Sequence, residues 1–250
     1  MQKRRQKITE LVNREGQITF ARLKAEFPEI SEMTLRTDLK HLDETGAIIR
    51  IHGGAKSIDT IAGTDGLLSQ RIVRNQDRKL QIAQKAVQLV HGKGSAFIDS
   101  GSTTTLLSRY FPDEARQIYT CGVSCATELA VLTKPTVHLL GGQMNRYSLS
   151  VAGSRSLLAL QACHFDICFL GVTSFQPGFG FCCESEGDCA LKQVALQQSE
   201  FRVALMDSTK IGLYSTHCIC PVSGVDAVVT DDGITAEQRE YFVTQGILVY

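Results

Sequence analysis

Apolar residues recur at helical spacing in three short stretches at the start of the chain. The first stretch covers 3–14, and the second covers 20–27 and ends before Pro28, because the residue that precedes a proline is disfavoured in the α-helical conformation. Ser31 is predicted to cap a third helix that ends at Gly46, since serine caps first turns and glycine commonly follows last turns. The pattern therefore predicts three consecutive short helices.

The third predicted helix separates apolar and polar residues onto opposite faces. Two β-like runs follow it, one on each side of the Gly53-Gly54 pair, and this arrangement predicts a hairpin. Three short helices followed by a hairpin make a winged helix-turn-helix, which we assign to residues 1–58. The apolar stripe of the third helix consists of Leu35, Leu39 and Leu42.

The polar face of this helix has the character of a surface that enters the major groove of DNA. Met33 is predicted to contact a thymine methyl group, while Arg50 and His52 in the wing are predicted to reach the backbone or the minor groove. Periodicity alone leaves open a face that is only solvated. The predicted DNA-contacting residues are Ser31, Met33, Thr34, Arg36, Thr37, Lys40, Arg50 and His52.

The distribution of charge favours DNA binding by the N-terminal part. The formal net charge of the whole chain is zero, which by itself argues against a nucleic-acid partner. Residues 1–58, however, hold 11 lysines and arginines against 8 acidic residues, and the rest of the chain carries the opposite excess.

The rest of the chain has the pattern of an α/β domain. Periodicity fades over 59–75, which we assign as a linker. From 76 to 250, short apolar runs such as SAFIDS, FDICFLGV and RVALMD alternate with helical stretches. Strands that alternate with helices predict right-handed βαβ units and a mostly parallel sheet.

The first strand of this domain ends in the segment DSGSTTT, which begins at Asp99. A glycine turn followed by hydroxyl residues and a helix N-terminus forms a cradle for a phosphate group. No lysine follows as in a nucleotide-binding loop, so nucleotide hydrolysis is not predicted. Asp99 would repel a phosphate, so we assign it to sugar hydroxyls or to fixing the loop. A capped turn that binds nothing is the alternative.

Other predicted strand ends carry groups that complement a phosphorylated ligand, since lysines neutralise phosphate and carboxylates accept hydrogen bonds from hydroxyls. Each of them taken singly is also compatible with an ordinary surface charge. Together they predict a binding site at the carboxyl ends of the strands. The residues are Gly141, Gly142, Arg146, Glu184, Lys192, Asp207, Ser208 and Lys210.

The segment SEMTLRTDLKHLDETGAIIRIHGGA closely resembles the signature of the DeoR family of bacterial sugar-metabolism regulators, which is approximately VS..TIRRDL..L...G.I.R.HGGA. Thr37 replaces the second arginine of the family's TIRRDL core, so an altered operator preference or affinity is expected. The matching positions are Ser31, Thr34, Leu35, Arg36, Asp38, Leu39, Leu42, Gly46, Arg50, His52, Gly53, Gly54 and Ala55.

The resemblance continues through FIDSGSTTTLL, LLGGQMN and DSTKIG. It implies a C-terminal domain that is similar to ribose-5-phosphate isomerase in fold and binds a phosphorylated sugar as inducer. Cys121 and Gly122 stand where the family usually has a TNS-like sequence, which puts one ligand contact in doubt. The resemblance implicates Asp99, Gly101, Ser102, Thr103, Thr104, Gly141, Gly142, Lys192, Asp207 and Lys210.

These features together predict an allosteric repressor of a carbohydrate-utilisation operon. Its expected partners are double-stranded operator DNA, a phosphorylated sugar and further copies of itself, as a dimer or tetramer. No catalytic residue, metal or cofactor is predicted. An isomerase-like enzyme with an appended DNA-binding domain is an alternative, because Asp99, Glu184 and Lys192 offer acid and base groups.

The chain has neither a long apolar run nor a signal-like start, so we expect no membrane span and a cytoplasmic location. Its nine cysteines are then expected to be reduced. They lack the paired spacing of a zinc framework, which favours buried structural thiols. A redox or metal sensor that uses Cys182, Cys183 and Cys189 is the remaining alternative.

Overall fold

A computed structural model describes residues 2–45, 47–51, 53–57, 67–92 and 94–250. The chain divides into two compact units, Met1–Arg74 and Asn75–Tyr250. Three sequence predictions lie wholly or partly outside the described residues: the helix stop at Gly46, the DNA contact at His52, and the 59–66 part of the linker. Among the described residues, none of the helices combines the length and the apolar character needed to cross a bilayer.

The predicted helices and hairpin of the N-terminal unit are present. Ser31 caps the third helix as predicted, because its side chain accepts a hydrogen bond from the backbone N–H of Thr34 at 3.2 Å. A short strand that precedes the second helix completes an antiparallel sheet of order β1-β3-β2. The elements are α1 (Gln2–Glu15), β1 (Gln17–Thr19), α2 (Phe20–Glu26), α3 (Glu32–Glu44), β2 (Ile49–Ile51) and β3 (Gly54–Lys56).

The apolar faces of the three helices form one core. Leu23 of α2 and Leu35 of α3 are fully buried, and they pack in one cluster with Ile8 of α1. A further helix, α4 (Leu68–Val73), lies within the segment that we assigned to the linker. Its six residues are too few to show helical periodicity in a sequence, so the sequence did not predict this helix.

The C-terminal unit is built on a seven-stranded sheet of order β15-β14-β12-β9-β4-β5-β6, in which every neighbouring pair is parallel. Six of the strands follow predicted apolar runs. They are β4 (Ser95–Ile98), β5 (Gln117–Thr120), β6 (Thr136–Leu139), β9 (Phe165–Gly171), β12 (Ser199–Leu205) and β14 (Ala227–Val229), with β15 (Leu248–Val249) added at one edge.

Helices cover both faces of this sheet, as a parallel sheet requires. One face packs in a cluster that contains Ile98 and Phe169, and the other in a cluster that contains Phe97 and Leu170. On the first face lie α5 (Gln76–Ala86), α6 (Ser102–Arg109) and α7 (Val123–Leu129), and on the second lie α8 (Ser154–Gln161), α9 (Glu186–Gln197) and α10 (Ala236–Thr244).

Two small antiparallel sheets were not predicted. A hairpin of β7 (Gln143–Asn145) and β8 (Ser150–Ala152) precedes α8. The second sheet has the order β10-β11-β13 and comprises β10 (Ser174–Gln176), β11 (Gly180–Cys183) and β13 (His217–Cys220). All four residues of β11 are buried, so the strand lacks the polar alternation that marks a half-exposed strand in a sequence.

The strand order reverses between β4 and β9. Successive strands β4, β5 and β6 run towards one edge, whereas β9, β12, β14 and β15 run towards the other. In open parallel sheets, a crevice forms beyond the carboxyl ends of the strands at such a switch point, and ligands bind there. Asp99 follows β4 directly and Gly171 ends β9, so these two residues mark the switch point.

Candidate functional site

Helix α3 presents its polar face to solvent, as the sequence predicted. Met33 is 74% exposed, whereas Leu35 on the opposite side is fully buried. Ser31 and Arg50 are also exposed, and Thr34 is half-buried. The remaining predicted DNA contacts on this exposed face are Arg36, Thr37 and Lys40.

The exposed cations of α3 have local partners. Arg36 lies 3.7 Å from Glu32, and its guanidinium stacks 4.2 Å from the ring centroid of Phe20. Lys40 lies 3.7 Å from Glu44. Exposed pairs of this kind contribute little to stability, so a phosphate or a base edge can replace the carboxylate partners at small cost.

Asp38 holds α3 against α1 through a buried charge cluster that the sequence did not reveal. Arg4 and Arg5 donate from Nε to the two carboxylate oxygens of Asp38 at 2.6 and 2.8 Å. Burial on its own raises the pKa of Asp38, but the hydrogen bonds and charges of the two arginines outweigh it and hold that pKa below its usual value. The cluster therefore fixes the orientation of the helix that carries the predicted DNA contacts.

Asp99 and Lys192 form a buried ion pair at the switch point of the large sheet. Lys192 Nζ donates to Asp99 Oδ2 and also to the carbonyl of Gly171 at 2.9 Å, and the side chains are only 5% and 2% exposed. The backbone N–H of Gly171 donates to Asp99 Oδ2 at 2.9 Å. The pair thus bonds the ends of β4 and β9 to each other and to α9.

Burial shifts the protonation of both partners. Burial raises the pKa of Asp99, and the charge of Lys192 opposes this rise without cancelling it. Burial alone would lower the pKa of Lys192, but the attraction of Asp99 reverses the effect and raises it. Lys192 is therefore cationic at neutral pH, and Asp99 offers its carboxylate mainly to groups of the protein.

Two buried thiols contact the loop that follows β4. Cys121 donates from Sγ to Asp99 Oδ1 at 3.5 Å, and Cys125 donates to the backbone carbonyl of Asp99 at 3.4 Å. A Cβ on Gly122 would lie 3.1 Å from the Cα of Ser100, so the chain after β5 packs closely against this loop. Cys121 and Gly122, the two residues that depart from the family pattern, thus contact Asp99 and the residue that follows it.

The N-terminus of α6 has open hydrogen-bonding capacity. Gly101 precedes the helix with a φ of 142° and provides no side-chain cap. Ser102 and Thr103 are 8% and 4% exposed, and among the described residues no hydrogen-bond partner of their hydroxyls is found. The first helical N–H groups are also unsatisfied by helix geometry, whereas the hydroxyl of Thr104 donates to the carbonyl of Gly101 at 3.0 Å.

Asp207 directly precedes a short 3-10 turn, Ser208–Lys210, which follows β12 and ends at Lys210. Asp207 is buried and caps the turn by accepting from Thr209 N at 3.2 Å. Lys210 Nζ donates to the carbonyl of Val172, one residue after β9, at 2.5 Å. The turn is thereby bonded to the neighbouring strand end at the switch point.

Three further residues contact this turn or its partners, and no pattern in the sequence indicated them. Arg78 of α5 donates from Nη1 to Ser208 Oγ at 2.6 Å and to Asp231 Oδ2 at 3.0 Å. Asn75 donates from Nδ2 to Asp207 Oδ1 at 3.3 Å. At least 130 positions separate these partners along the chain, so no local pattern could have joined them.

The remaining predicted residues have mainly local contacts. A Cβ on Gly142 would lie 2.4 Å from Ser156 Oγ, so this glycine allows close packing, and the carbonyl of Gly141 accepts from the same hydroxyl at 2.6 Å. Arg146 is exposed and stacks on Tyr147 at 4.8 Å. Glu184 is half-buried and accepts from Thr216 at 3.4 Å. These contacts do not join Arg146 or Glu184 to the Asp99–Lys192 pair.

The cysteines around β11 have the properties of structural thiols. Burial raises the pKa of Cys182, Cys183 and Cys189, which disfavours the reactive thiolate form. Within the part of the chain that the structure describes, no group of three or more histidine, cysteine or acidic side chains could hold a metal ion. The geometry therefore gives no support to a redox or metal sensor.

A winged helix with an exposed polar face on its third helix is an architecture typical of DNA-binding proteins, and here a parallel α/β domain follows it. Residues 4–61 match the family model of the DeoR-like helix-turn-helix domain, and residues 74–232 match that of the DeoR C terminal sensor domain. The chain belongs to the DeoR family of transcriptional regulators, as its sequence motifs predicted.

Similar proteins extend over nearly the full chain. The HTH-type transcriptional regulator GolR of Listeria innocua is 29% identical and is aligned over 98% of this chain and 96% of its own length. The lactose phosphotransferase system repressor of Streptococcus mutans is 29% identical over 92% of each chain. Among solved structures, ribose 5-phosphate isomerase A from Methanocaldococcus jannaschii is similar over 55% of each chain, with a TM-score of 0.41 and 16% identity.

These relatives decide between the function classes that the sequence left open. They are named as regulators and repressors, and they match this chain across both of its domains. The protein is therefore a DNA-binding transcriptional regulator and not a sugar-phosphate isomerase.

Proposed function

We propose that this protein represses a carbohydrate-utilisation operon and leaves its operator when a phosphorylated sugar binds at the switch point of the large sheet. The observation that carries the effector proposal is the N-terminus of α6. It combines free helical N–H groups with the hydroxyls of two buried residues, Ser102 and Thr103, for which the described residues provide no hydrogen-bond partner. A phosphate group supplies both the negative charge and the acceptor oxygens that such a terminus lacks.

Some of the other polar groups at the site are proposed to contact the effector, and others hold the strand ends in place. Lys192 and Asp99 satisfy each other, so we assign them the role of holding the strand ends in place. The charge that meets the phosphate then comes chiefly from the N–H groups of α6, while Asp207 and Lys210 lie beside the neighbouring strand end. The proposed effector contacts are Gly101, Ser102, Thr103, Thr104, Asp207 and Lys210.

The sugar class rests on the names of relatives together with the chemistry of the site. One relative is named as the repressor of a lactose phosphotransferase system. A helix N-terminus that offers free N–H groups and the hydroxyls of Ser102 and Thr103 suits a phosphorylated ligand. Homo-oligomerisation would place two winged helices on paired operator half-sites.

The test measures the response of operator binding to candidate effectors. An operator duplex is first selected from random sequences by the full-length protein, and its affinity is then measured by fluorescence anisotropy with a panel of sugar phosphates. We expect one sugar phosphate to weaken binding by about tenfold or more, within the usual range of allosteric coupling. The matching free sugar is the control and should have no effect. A panel without any response would contradict the proposed effector class.

The proposed DNA contacts on α3 give a second expected result. Replacing Arg36 by methionine should weaken operator binding by about 10-fold to 100-fold, because one base-reading arginine contributes about 1–3 kcal/mol of discrimination. Arg14→Met is the matched control, since Arg14 is an exposed arginine of the same unit, with its side chain 70% exposed on α1. Equal losses in both variants would indicate a general effect of charge and would remove Arg36 from the proposed contacts.

A further inference from the structure

The sensor domain begins at the same sheet edge that carries the proposed effector site. Asn75 is the first residue of the second compact unit, and it adopts a left-handed conformation with a φ of 50°. Its side chain donates from Nδ2 to Asp207 Oδ1 and to Thr209 Oγ1, both at 3.3 Å. The point where the chain enters the domain is thus bonded directly to the 3-10 turn that contains Lys210.

The same turn is bonded on its other side to the core of the site. Lys210 Nζ reaches the carbonyl of Val172 at 2.5 Å. The preceding residue, Gly171, donates to Asp99 and accepts from Lys192. A continuous series of hydrogen bonds and one peptide link therefore joins the Asp99–Lys192 pair to Asn75.

The turn is also closely packed, which lets a displacement pass through it. Ser208 accepts from Arg78 and donates its backbone N–H to Asp231 Oδ1 at 2.6 Å. A Cβ on Gly233 would lie 2.6 Å from Arg78 Nη1, from Asp231 Oδ2 and from Ser208 Oγ. Packed groups of this kind exchange between discrete arrangements instead of yielding gradually.

We infer that the Asp207–Lys210 segment couples effector binding to the DNA-binding domain through Asn75. This inference rests on the proposed function, because it assigns a route of regulation to the same site. A ligand that draws Lys210 or Asp207 towards itself changes the bonds that hold Asn75. The backbone at Asn75, from which the chain continues towards the DNA-binding domain, is then no longer held in the same orientation.

Asn75→Gly is the variant that isolates this contact. Glycine adopts the left-handed conformation without strain, so the backbone is kept and only the amide group is lost. The matched control is Arg202→Met, which removes bonds between β12 and the residue that precedes β14. Arg202 donates from Nε to Asp226 Oδ2 at 2.8 Å and from Nη2 to Asp226 Oδ1 at 2.7 Å, at the end of β14 opposite to the Asp231 that contacts Ser208.

The experiment determines the ratio of operator dissociation constants with and without the sugar phosphate identified for the wild type. For the wild type we expect a ratio within the common range of about 5 to 150. Asn75→Gly should reduce the ratio to about 2 or less while the affinity of the free protein for the sugar phosphate stays within about twofold. Arg202→Met should keep the wild-type ratio.

Thr209→Val removes the second acceptor of Asn75 and should reduce the ratio as well. Because both changes break one connection, the double variant should lose no more coupling than either single variant, as a double-mutant cycle will show. A wild-type ratio in Asn75→Gly, or an equal loss in Arg202→Met, overturns this inference and leaves the proposed function intact. If no sugar phosphate changes the operator affinity of the wild-type protein, the proposed function and this inference are both overturned.

Discussion

Replacing Lys192 by methionine is expected to lower the free energy of unfolding by about 3–5 kcal/mol, because it leaves the carboxylate of Asp99 buried without its counter-ion. Asp99 has a 2% exposed side chain, so water cannot replace the lost ammonium group. Chemical denaturation of the full-length protein, followed by a signal from the C-terminal domain, measures the change. Arg109→Met is the control, since it breaks a pair with Glu128 in which Arg109 is 50% exposed, and it should cost less than about 1 kcal/mol.

The loss in Lys192→Met should depend on pH in a defined direction. Without Lys192, burial raises the folded-state pKa of Asp99 further above its unfolded-state value. The penalty is therefore absent below the unfolded-state pKa and grows as the pH rises through the folded-state pKa. The double variant Asp99→Asn/Lys192→Met should recover part of the stability at neutral pH. A single variant as stable as the wild type would contradict the structural role of the pair.

Replacing Ser102 by aspartate is expected to weaken the binding of the effector sugar phosphate by about 100-fold, equivalent to about 2.7 kcal/mol. The new carboxylate would occupy the free N–H groups at the start of α6 and repel the phosphate dianion. The same carboxylate is favourable for the helix dipole, which offsets part of the cost of burying it at a position that is only 8% exposed, and thermal unfolding measures the balance. Isothermal titration and thermal unfolding of one preparation distinguish the two effects.

Ser154→Asp provides a matched control for this substitution. Ser154 is the first residue of α8, which, like α6, follows a glycine without a side-chain cap. An aspartate at this position should leave the affinity for the sugar phosphate unchanged. Comparable weakening in both variants would mean that α6 has no special role, and the proposed phosphate position would have to be abandoned.

The sequence predicted the elements whose pattern is local. The three N-terminal helices and six strands of the large sheet appear where periodicity and apolar runs indicated them. The elements that were missed depend on distant partners or are very short. Strand β11 is completely buried between β10 and β13, and its pairing joins Cys182 to Cys218, far along the chain. Such a pairing leaves no trace in the local order of residues.

The candidate site divides in the same way. Gly101 and Ser102 were predicted because a strand end followed by a helix start is visible in a short segment. The sequence did not show that Lys192 forms an ion pair with Asp99. A lysine in a buried ion pair and a lysine that binds a ligand look the same in a sequence. Arg78 and Asn75 were missed altogether, since only the folded chain brings α5 to the ends of β12 and β14.

The hairpin of β7 and β8 limits the rate at which the sheet edge at the end of β5 can rearrange. Val123 N donates to the carbonyl of Leu149 at 2.9 Å, and Val151 N donates to that of Cys121 at 2.8 Å, so backbone bonds join the hairpin to the end of β5. Moving the hairpin away from this edge breaks both bonds together, which is local unfolding and takes microseconds to seconds, whereas exposed side chains change rotamer in picoseconds to nanoseconds. Any rearrangement of this edge that displaces the hairpin must therefore cross an activation barrier, and its rate will be limited by that opening step.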